Sequence, residues 1–377
     1  MEPPASERPV GLCFKTGSFS LVNDHLEAAL PAALPEYDLC WIEVLQILRR
    51  RPALHLLAVT EAVSRYGSLM VKMKCPPRPF VPRTSGFIKA LRSWMKRDEL
   101  FPRVAFTFQT QSVFRASRPG LPHFVYTDHT YLANLRYPQP KPLMPSSDLW
   151  KAEEKALYQD ASVNFTSSEF AALSLVEDYG LPRDRVSCVF SGFNMPFPAT
   201  LDPARRQGLR IVFVGVDWER KGGPELVEAF QRIAPDFPDA ELHLVGCRPS
   251  VSAPRIHIHG RVAPEEVVKH LESASIFCMP SRVEPAAAAL VEASAYGLPV
   301  VSTYAGGNAE RVLHGKTGLL VEAGNSHQLA DALRRLLADA SLREEMGRQG
   351  RAFALQHFTW PAVCEKLAQR LRTSLPQ

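Results

Sequence analysis

Short apolar runs separated by amphipathic stretches pattern the second half of the chain. Runs of strand length occur at 209–214, 242–245, 256–258, 276–279, 299–302 and 318–321. Helix-like stretches at 224–233, 264–273, 285–296 and 326–338 lie between them, with a further short stretch at 308–313. This alternation predicts a parallel α/β sheet, whose ligands bind beyond the carboxyl ends of the strands. The first half repeats the pattern less regularly, with strand-like runs at 10–14, 37–44, 104–107, 124–126, 162–165 and 186–190. The first run leads into the small-residue loop Lys15-Thr16-Gly17-Ser18, and 24–34 has helical character. Ser167-Ser168-Glu169 before 170–179 reads as a helix cap with a first-turn acid.

Length makes two domains the natural reading, since 377 residues exceed what one core usually organises. The segment 193–203 holds three prolines and little periodicity, which marks it as a linker, and Trp360-Pro361 interrupts the last helical material. With 46% apolar and 22% charged residues the composition is that of a globular protein. No tract approaches the roughly 18 apolar residues needed to span a bilayer. Residues 1–8 include two acids and lead into no apolar core, so no secretory signal is read and a cytoplasmic protein is expected. Seven cysteines without C-x-x-C spacing predict reduced thiols and no metal site.

Candidate chemistry concentrates in 279–310. Glu284 and Glu292 stand eight positions apart, and Pro285 between them suits a first helical position. Glu284 is therefore expected in the loop after strand 276–279, the helix starting at Pro285, and Glu292 further along it. The amides of Ala286 and Ala287 would then be unpaired at the helix mouth, where they and the helix dipole favour a phosphate. Carboxylates on either side could accept sugar hydroxyls, so a nucleotide diphosphate sugar is the expected ligand. An ordinary alanine-rich helix with two solvated glutamates is the competing reading of this motif alone.

Several motifs now stand in order: Phe213-Val214-Gly215 with Arg220-Lys221-Gly222-Gly223, Leu244-Val245-Gly246, His259-Gly260-Arg261-Val262, the two glutamates, Tyr296-Gly297-Leu298-Pro299, Gly306-Gly307 with Glu310, Gly315 with Gly318, and Phe358-Thr359-Trp360. In this arrangement the chain resembles the retaining glycosyltransferases of family GT4, or group 1, strongly over 205–360 and more weakly over 1–200. The resemblance implies the α/β GT-B fold, two Rossmann-like domains facing a central cleft. Its boundaries fall at 1–192 for an acceptor-side domain, 204–357 for a nucleotide-sugar-binding domain, and 358–377 for a C-terminal helix packing back on the first. By the same likeness Glu292 would hold the ribose, Glu284 the donor sugar, Ala286 and Ala287 the phosphate, and Gly306, Gly307, Gly215 and Gly17 nearby parts of the donor. The base would lie along the backbone near Arg261 and Val262. Lys221 would neutralise the leaving diphosphate, which gains charge as the sugar departs. Val216 stands where many relatives have arginine, and Arg220 could supply that charge. Pro285-Ala286-Ala287 replaces a common Phe-Gly. His129, after strand 124–126, matches a family histidine near the reacting carbon, while a satisfied loop histidine is the plain alternative; Asp128 is equally placed.

The implied activity is metal-independent transfer with retention from a UDP- or GDP-linked sugar to a cell-surface glycan or a lipid-linked acceptor, with no cofactor. A non-catalytic sugar-nucleotide-binding partner subunit and a sugar-nucleotide epimerase are the alternatives. No Asp-x-Asp, G-x-G-x-x-G or P-loop pattern occurs, which weakens other nucleotide chemistries. His257 and His259 alternate along a strand with no partner spacing for zinc.

Charge adds one more region. Residues 49–118 contain fifteen Lys or Arg and three acids, a net +12 within a chain of +5. Phe87, Leu91, Trp94 and Met95 recur at helical spacing with Lys89, Arg92, Lys96 and Arg97 nearby, the composition of a helix lying on an anionic membrane at the inner membrane face. The alternative has the apolar residues facing the core. Nucleic acid is not the expected partner.

Overall fold

A computed structural model describes residues 8–17, 21–74, 76–78, 80–95, 103–137, 148–206 and 208–375. Ser18, Cys75, Lys96 and Arg97 lie outside the described residues, as do residues 1–7. The chain forms two units. One comprises 1–136, 140–190 and 363–377, and the other 137–139 and 191–362.

The first unit is built on a six-stranded sheet: β1 (Val10–Lys15), β2 (Asp38–Glu43), β3 (Val104–Thr110), β4 (His123–Thr127), β5 (Val163–Thr166) and β6 (Val186–Cys188). Their order is β2-β1-β3-β4-β5-β6 and every pairing is parallel. Continuous burial along β3 and β4 fits a sheet covered on both faces. The Ser168 side chain caps Glu169–Glu177 by accepting from Ala171 N. Val363–Gln377 groups with this unit, and Arg372 Nε donates to Glu36 at 2.7 Å.

The helix Ser85–Trp94 corrects the membrane reading. Its apolar stripe is spent on the core, for Phe87, Leu91 and Met95 are at most 1% exposed and Trp94 packs against the same cluster. Lys89 and Arg92 remain in solvent. A neighbouring helix, Pro52–Met73, does the reverse. It turns Ala58, Ala62, Tyr66 and Met70 inward and leaves Leu56, Leu57, Val63 and Val71 exposed. No described helix is long and apolar enough to cross a membrane.

The second unit repeats the architecture with β7 (Leu209–Val214), β8 (Ala240–Val245), β9 (Ile256–Gly260), β10 (Ile276–Cys278), β11 (Val300–Thr303) and β12 (Gly318–Val321). The order is β12-β11-β10-β7-β8-β9, again all parallel. From β7 the chain winds one way through β8 and β9, then crosses to β10 on the other side of β7. The crevice between β7 and β10 is thus the topological switch point, where open α/β sheets bind ligands. The segment 193–203, expected as a linker, groups with this unit.

Candidate active site

Two loops meet at that switch point. The one after β7 carries Arg220 and Lys221 before the helix Gly223–Ile233, and the one after β10 carries Ser281 to Ala287. Arg282 N donates to Arg220 O at 2.9 Å, and Arg282 Nε to the buried Glu225 carboxylate at 2.6 Å. Gly222 closes the approach. Its φ of 74° is left-handed, and a Cβ there would overlap the Pro280 carbonyl oxygen.

Glu284 is buried between these loops. Lys221 Nζ donates to Glu284 Oε2, and Arg220 Nη1 lies 3.3 Å from the same oxygen. Arg220 Nη1 also donates to Val283 O at 3.0 Å, and Arg220 Nε pairs with Asp217 at 3.3 Å. Burial alone would push the Glu284 carboxyl up, but Lys221 and Arg220, with Arg311 behind them, hold it below the usual carboxylate range. The result is a charged cluster of two cations and one anion at the strand ends. Val216 is 60% exposed, and the Arg220 guanidinium stands in contact with Glu284.

The third loop of the site follows β11. Gly307 N donates to Glu284 O at 3.1 Å, and Gly306 has φ 57°, where a Cβ would overlap that carbonyl. This contact explains a correction. The helix begins at Ala288, not at Pro285, because the Glu284 carbonyl that would accept its first hydrogen bond is taken by Gly307, and Ala287 is extended with ψ 102°. Ala286 and Ala287 therefore precede the helix, and among the described residues neither N–H donates a hydrogen bond. The unpaired amides expected at the helix mouth therefore stand in the loop before it.

Glu292 lies in the second turn of Ala288–Ala295 and accepts from Asn194 N at 3.1 Å. Desolvation raises its carboxyl above the ordinary range, opposed by the amides of Asn194 and Met195 and by Arg311. The two glutamates are thus tuned in opposite directions. Arg311, which sequence reading missed, links them. It is 1% exposed, donates to Ser191 Oγ at 2.8 Å and lies over the Phe358 ring at 5.1 Å. Its only sequence signal is its position just after the Gly306-Gly307 motif.

A pH series follows from Glu292. Its folded-state value exceeds its unfolded one, so the cost of its charge is absent below about pH 4, the ordinary range, and develops as pH rises through the folded value. Glu292→Gln should therefore melt at a higher temperature than the parent at pH 7–8, with the two curves converging toward about pH 4. Melting temperatures that coincide throughout would contradict this.

Other expected residues are placed as follows. Gly215 N donates to Val245 O at 2.9 Å, Arg261 is exposed beside β9, and Val262 packs on the core. Gly17 and His129 belong to the first unit. Gly17 follows β1 at that sheet's own switch point, has φ 59° and donates to Glu43 at 2.8 Å. His129 follows β4, is 7% exposed and stacks on Phe170 with centroids 6.1 Å apart; Asp128 beside it is exposed. Next to Gly17 lie two adjoining cavities of about 460 and 410 Å³ that share Leu45, Arg49 and Arg78. Glu43 and Gln46 line the first, while Val59, Pro76, Pro77 and Val81 make the second apolar.

The histidine reading also needs correction. His257 and His259 do have partners, because β8 supplies His243 and the helix Pro264–Ser273 supplies His270. Strand pairing in space, not spacing in sequence, assembles them. Burial pushes His243 down to about 4 and lowers His259 and His270 as well.

The model of the family described as "Glycosyl transferases group 1" matches residues 208–339. A GDP-mannose-dependent alpha-(1-6)-phosphatidylinositol monomannoside mannosyltransferase of Mycobacterium tuberculosis is 33% identical over 199 residues, 45% of this chain and 52% of that protein. A D-inositol 3-phosphate glycosyltransferase of Corynebacterium diphtheriae is 29% identical over 274 residues, 64% of this chain and 63% of that one. The match thus spans about half to two thirds of these relatives' length. Among solved structures, the sucrose-phosphate synthase of Thermosynechococcus elongatus superposes with TM-score 0.69 at 17% identity, over 97% of this chain and 99% of that one. Anabaena HepE in complex with UDP and glucose gives 0.64 at 16%, over 97% and 100%. The chain has the GT-B fold, and residues 208–339 of its second unit match the family of group 1 glycosyl transferases.

Proposed function

We propose that this chain is a retaining glycosyltransferase that moves a sugar from a UDP- or GDP-linked donor to a glycan or lipid-linked acceptor on the cytoplasmic side of a membrane. The observation that carries the reading is the Arg220–Lys221–Glu284 cluster at the β7/β10 switch point, beside the free amides of Ala286 and Ala287. Two cations and loop amides suit a diphosphate, and the preset positive charge favours its departure, a role that needs no metal ion. Glu292 has a second carboxylate oxygen for the ribose, and Arg261 and Val262 flank the base. In the transfer, the bond from the anomeric carbon to the diphosphate oxygen breaks and the acceptor oxygen bonds to that carbon on the same face. The acceptor's proton passes to the departing phosphate oxygen. Glu284 orients the sugar. The relatives named above for phosphatidylinositol and inositol acceptors support an anionic, lipid-linked acceptor, and the cavity pair at Arg49 and Arg78 offers charge followed by apolar lining.

The test is turnover by the purified chain with UDP-, GDP- and ADP-sugars, read by NMR. A product with the donor's anomeric configuration supports the proposal, and an inverted product or an epimerised donor without transfer overturns it. A ligand screen by thermal shift narrows the base, since about 2.7 kcal/mol of stabilisation is expected at 100 times the dissociation constant.

Contact with an anionic membrane would use the basic 49–118 region through the exposed residues of Pro52–Met73, not Ser85–Trp94. In flotation with anionic vesicles, the double substitution Leu56→Ser and Leu57→Ser is expected to reduce recovery in the lipid fraction. Unchanged recovery would exclude that helix.

A further inference from the structure

The second sheet carries a side-chain cluster that the proposed reaction does not use. The ligating atoms of His243, His259 and His270 all lie within 4.8 Å of one another. His243 Nδ1 is 3.0 Å from His259 Nε2, and the His259 and His270 rings are 4.2 Å apart by their centroids. We propose that these three histidines bind a divalent transition-metal ion of the zinc type, with Glu241 as the outer carboxylate that orients His243.

The spacing is close to what coordination requires. Zinc–nitrogen bonds of about 2.0–2.1 Å in a tetrahedron separate ligand atoms by about 3.3 Å, so the 3.0 Å pair needs only a small spread, and the third imidazole starts within 4.8 Å of both. The outer shell is already in place. His243 Nε2 lies 3.1 Å from Glu241 Oε2, so its N–H donates there and leaves Nδ1 as a lone pair 3.0 Å from His259 Nε2. A carboxylate on the far nitrogen is the usual companion of a metal-bound histidine, fixing tautomer and ring angle. His259 Nε2 accordingly carries the proton shared with His243 Nδ1; metal binding moves that proton to the other ring nitrogen of His259, and no net charge has to leave the protein.

Two features bear on the choice of ion and ligand set. Arg210 is the nearby cation, but its Nη1 donates to Ser273 Oγ at 2.9 Å and its Nη2 is 3.6 Å from Glu241, which offsets its charge. Glu241, His243 and His257 form a second triplet of similar size, yet His257 is exposed and this set would take Nε2 of His243 away from its carboxylate. Imidazole donors without thiolates suit zinc, cobalt, nickel or copper over magnesium and calcium. Three protein ligands leave a fourth position for water. Such an ion would tie β8, β9 and Pro264–Ser273 together directly before Gly260-Arg261-Val262.

The test uses the full chain, stripped with chelator and desalted, then titrated with zinc against a chromophoric chelator and separately with cobalt. One equivalent per chain is expected, with the intense visible absorption of tetrahedral cobalt(II). His259→Ala and His270→Ala should each abolish stoichiometric uptake, Glu241→Ala should weaken it about 10- to 100-fold, and His257→Ala should leave it unchanged. Absence of equimolar uptake by the parent chain overturns the proposal whatever the variants do. Uptake that survives in both His259→Ala and His270→Ala, or that is lost in His257→Ala, also overturns it.

Discussion

Replacing Lys221 by alanine is expected to lower kcat for sugar transfer about 10²- to 10³-fold, or roughly 2.7–4 kcal/mol of transition-state stabilisation, with a smaller change in KM. The Lys221 side chain is 13% exposed and held at the strand ends by Glu284, where, in the proposed transfer, a leaving diphosphate would gain charge. Ground-state donor contacts to Ala286, Ala287 and Glu292 would survive the substitution, which is why the loss should fall on kcat. Lys221→Arg should recover only part of the activity, because a planar guanidinium cannot occupy the site of a compact ammonium without disturbing Glu284. The removal also withdraws the principal counter-charge of Glu284, whose carboxyl should then titrate higher. Since a lowered folded-state value contributes stability above the ordinary range that is lost as pH falls through it, Lys221→Ala should lose part of the parent's advantage at neutral pH over acid pH. Steady-state kinetics and melts from pH 4 to 8 check both statements; kcat within a few-fold of the parent would remove Lys221 from the chemistry.

Gly222→Ala should cost both stability and activity. A left-handed φ of 74° disfavours any side chain, and the added methyl group would meet a backbone oxygen, Pro280 O, with no flexible end to swing aside. Backbone strain of this kind is worth about 1–3 kcal/mol. The loops after β7 and β10 must separate to relieve the clash, which pulls Lys221 away from Glu284. The variant should therefore approach the kcat of Lys221→Ala while keeping all its charged groups. Denaturant unfolding and kinetics measure the two effects. A variant as active as the parent would mean that the loops tolerate separation and that their close approach has no catalytic role.

The second sheet was legible because its strands are short apolar runs bounded by glycine and proline, and all six strands begin and end within two residues of the runs in 209–321. Helix Pro52–Met73 was not legible, for a physical reason. It buries Ala58, Ala62, Tyr66 and Met70 while Leu56, Leu57, Val63 and Val71 face solvent, so apolar residues lie on both sides of the helix and no single stripe stands out. In Ser85–Trp94 the stripe was visible, but periodicity alone does not say whether a core or a membrane receives it. At the candidate site, Lys221, Glu284 and Glu292 could be named from motif order. The start of the helix at Ala288 depends on a hydrogen bond from Gly307, which lies in a different loop. Arg311 and the meeting of His243 with His259 and His270 likewise depend on contacts between elements that no local window contains.

The bond from Arg282 N to Arg220 O, the Arg282–Glu225 pair and the Gly307 contact to Glu284 fasten three loops to one another through the protein's own groups. Their conformational entropy is therefore surrendered when the unit folds, not when a nucleotide arrives. Loops that had to be ordered by the donor would cost about 0.5–1.5 kcal/mol for each immobilised side chain at the moment of binding. Here that loss belongs to the folding equilibrium, so under the proposed function it does not weaken donor binding. Weakening any of the three fastenings should consequently appear as a more unfavourable binding entropy for nucleotide, with the contacts themselves intact.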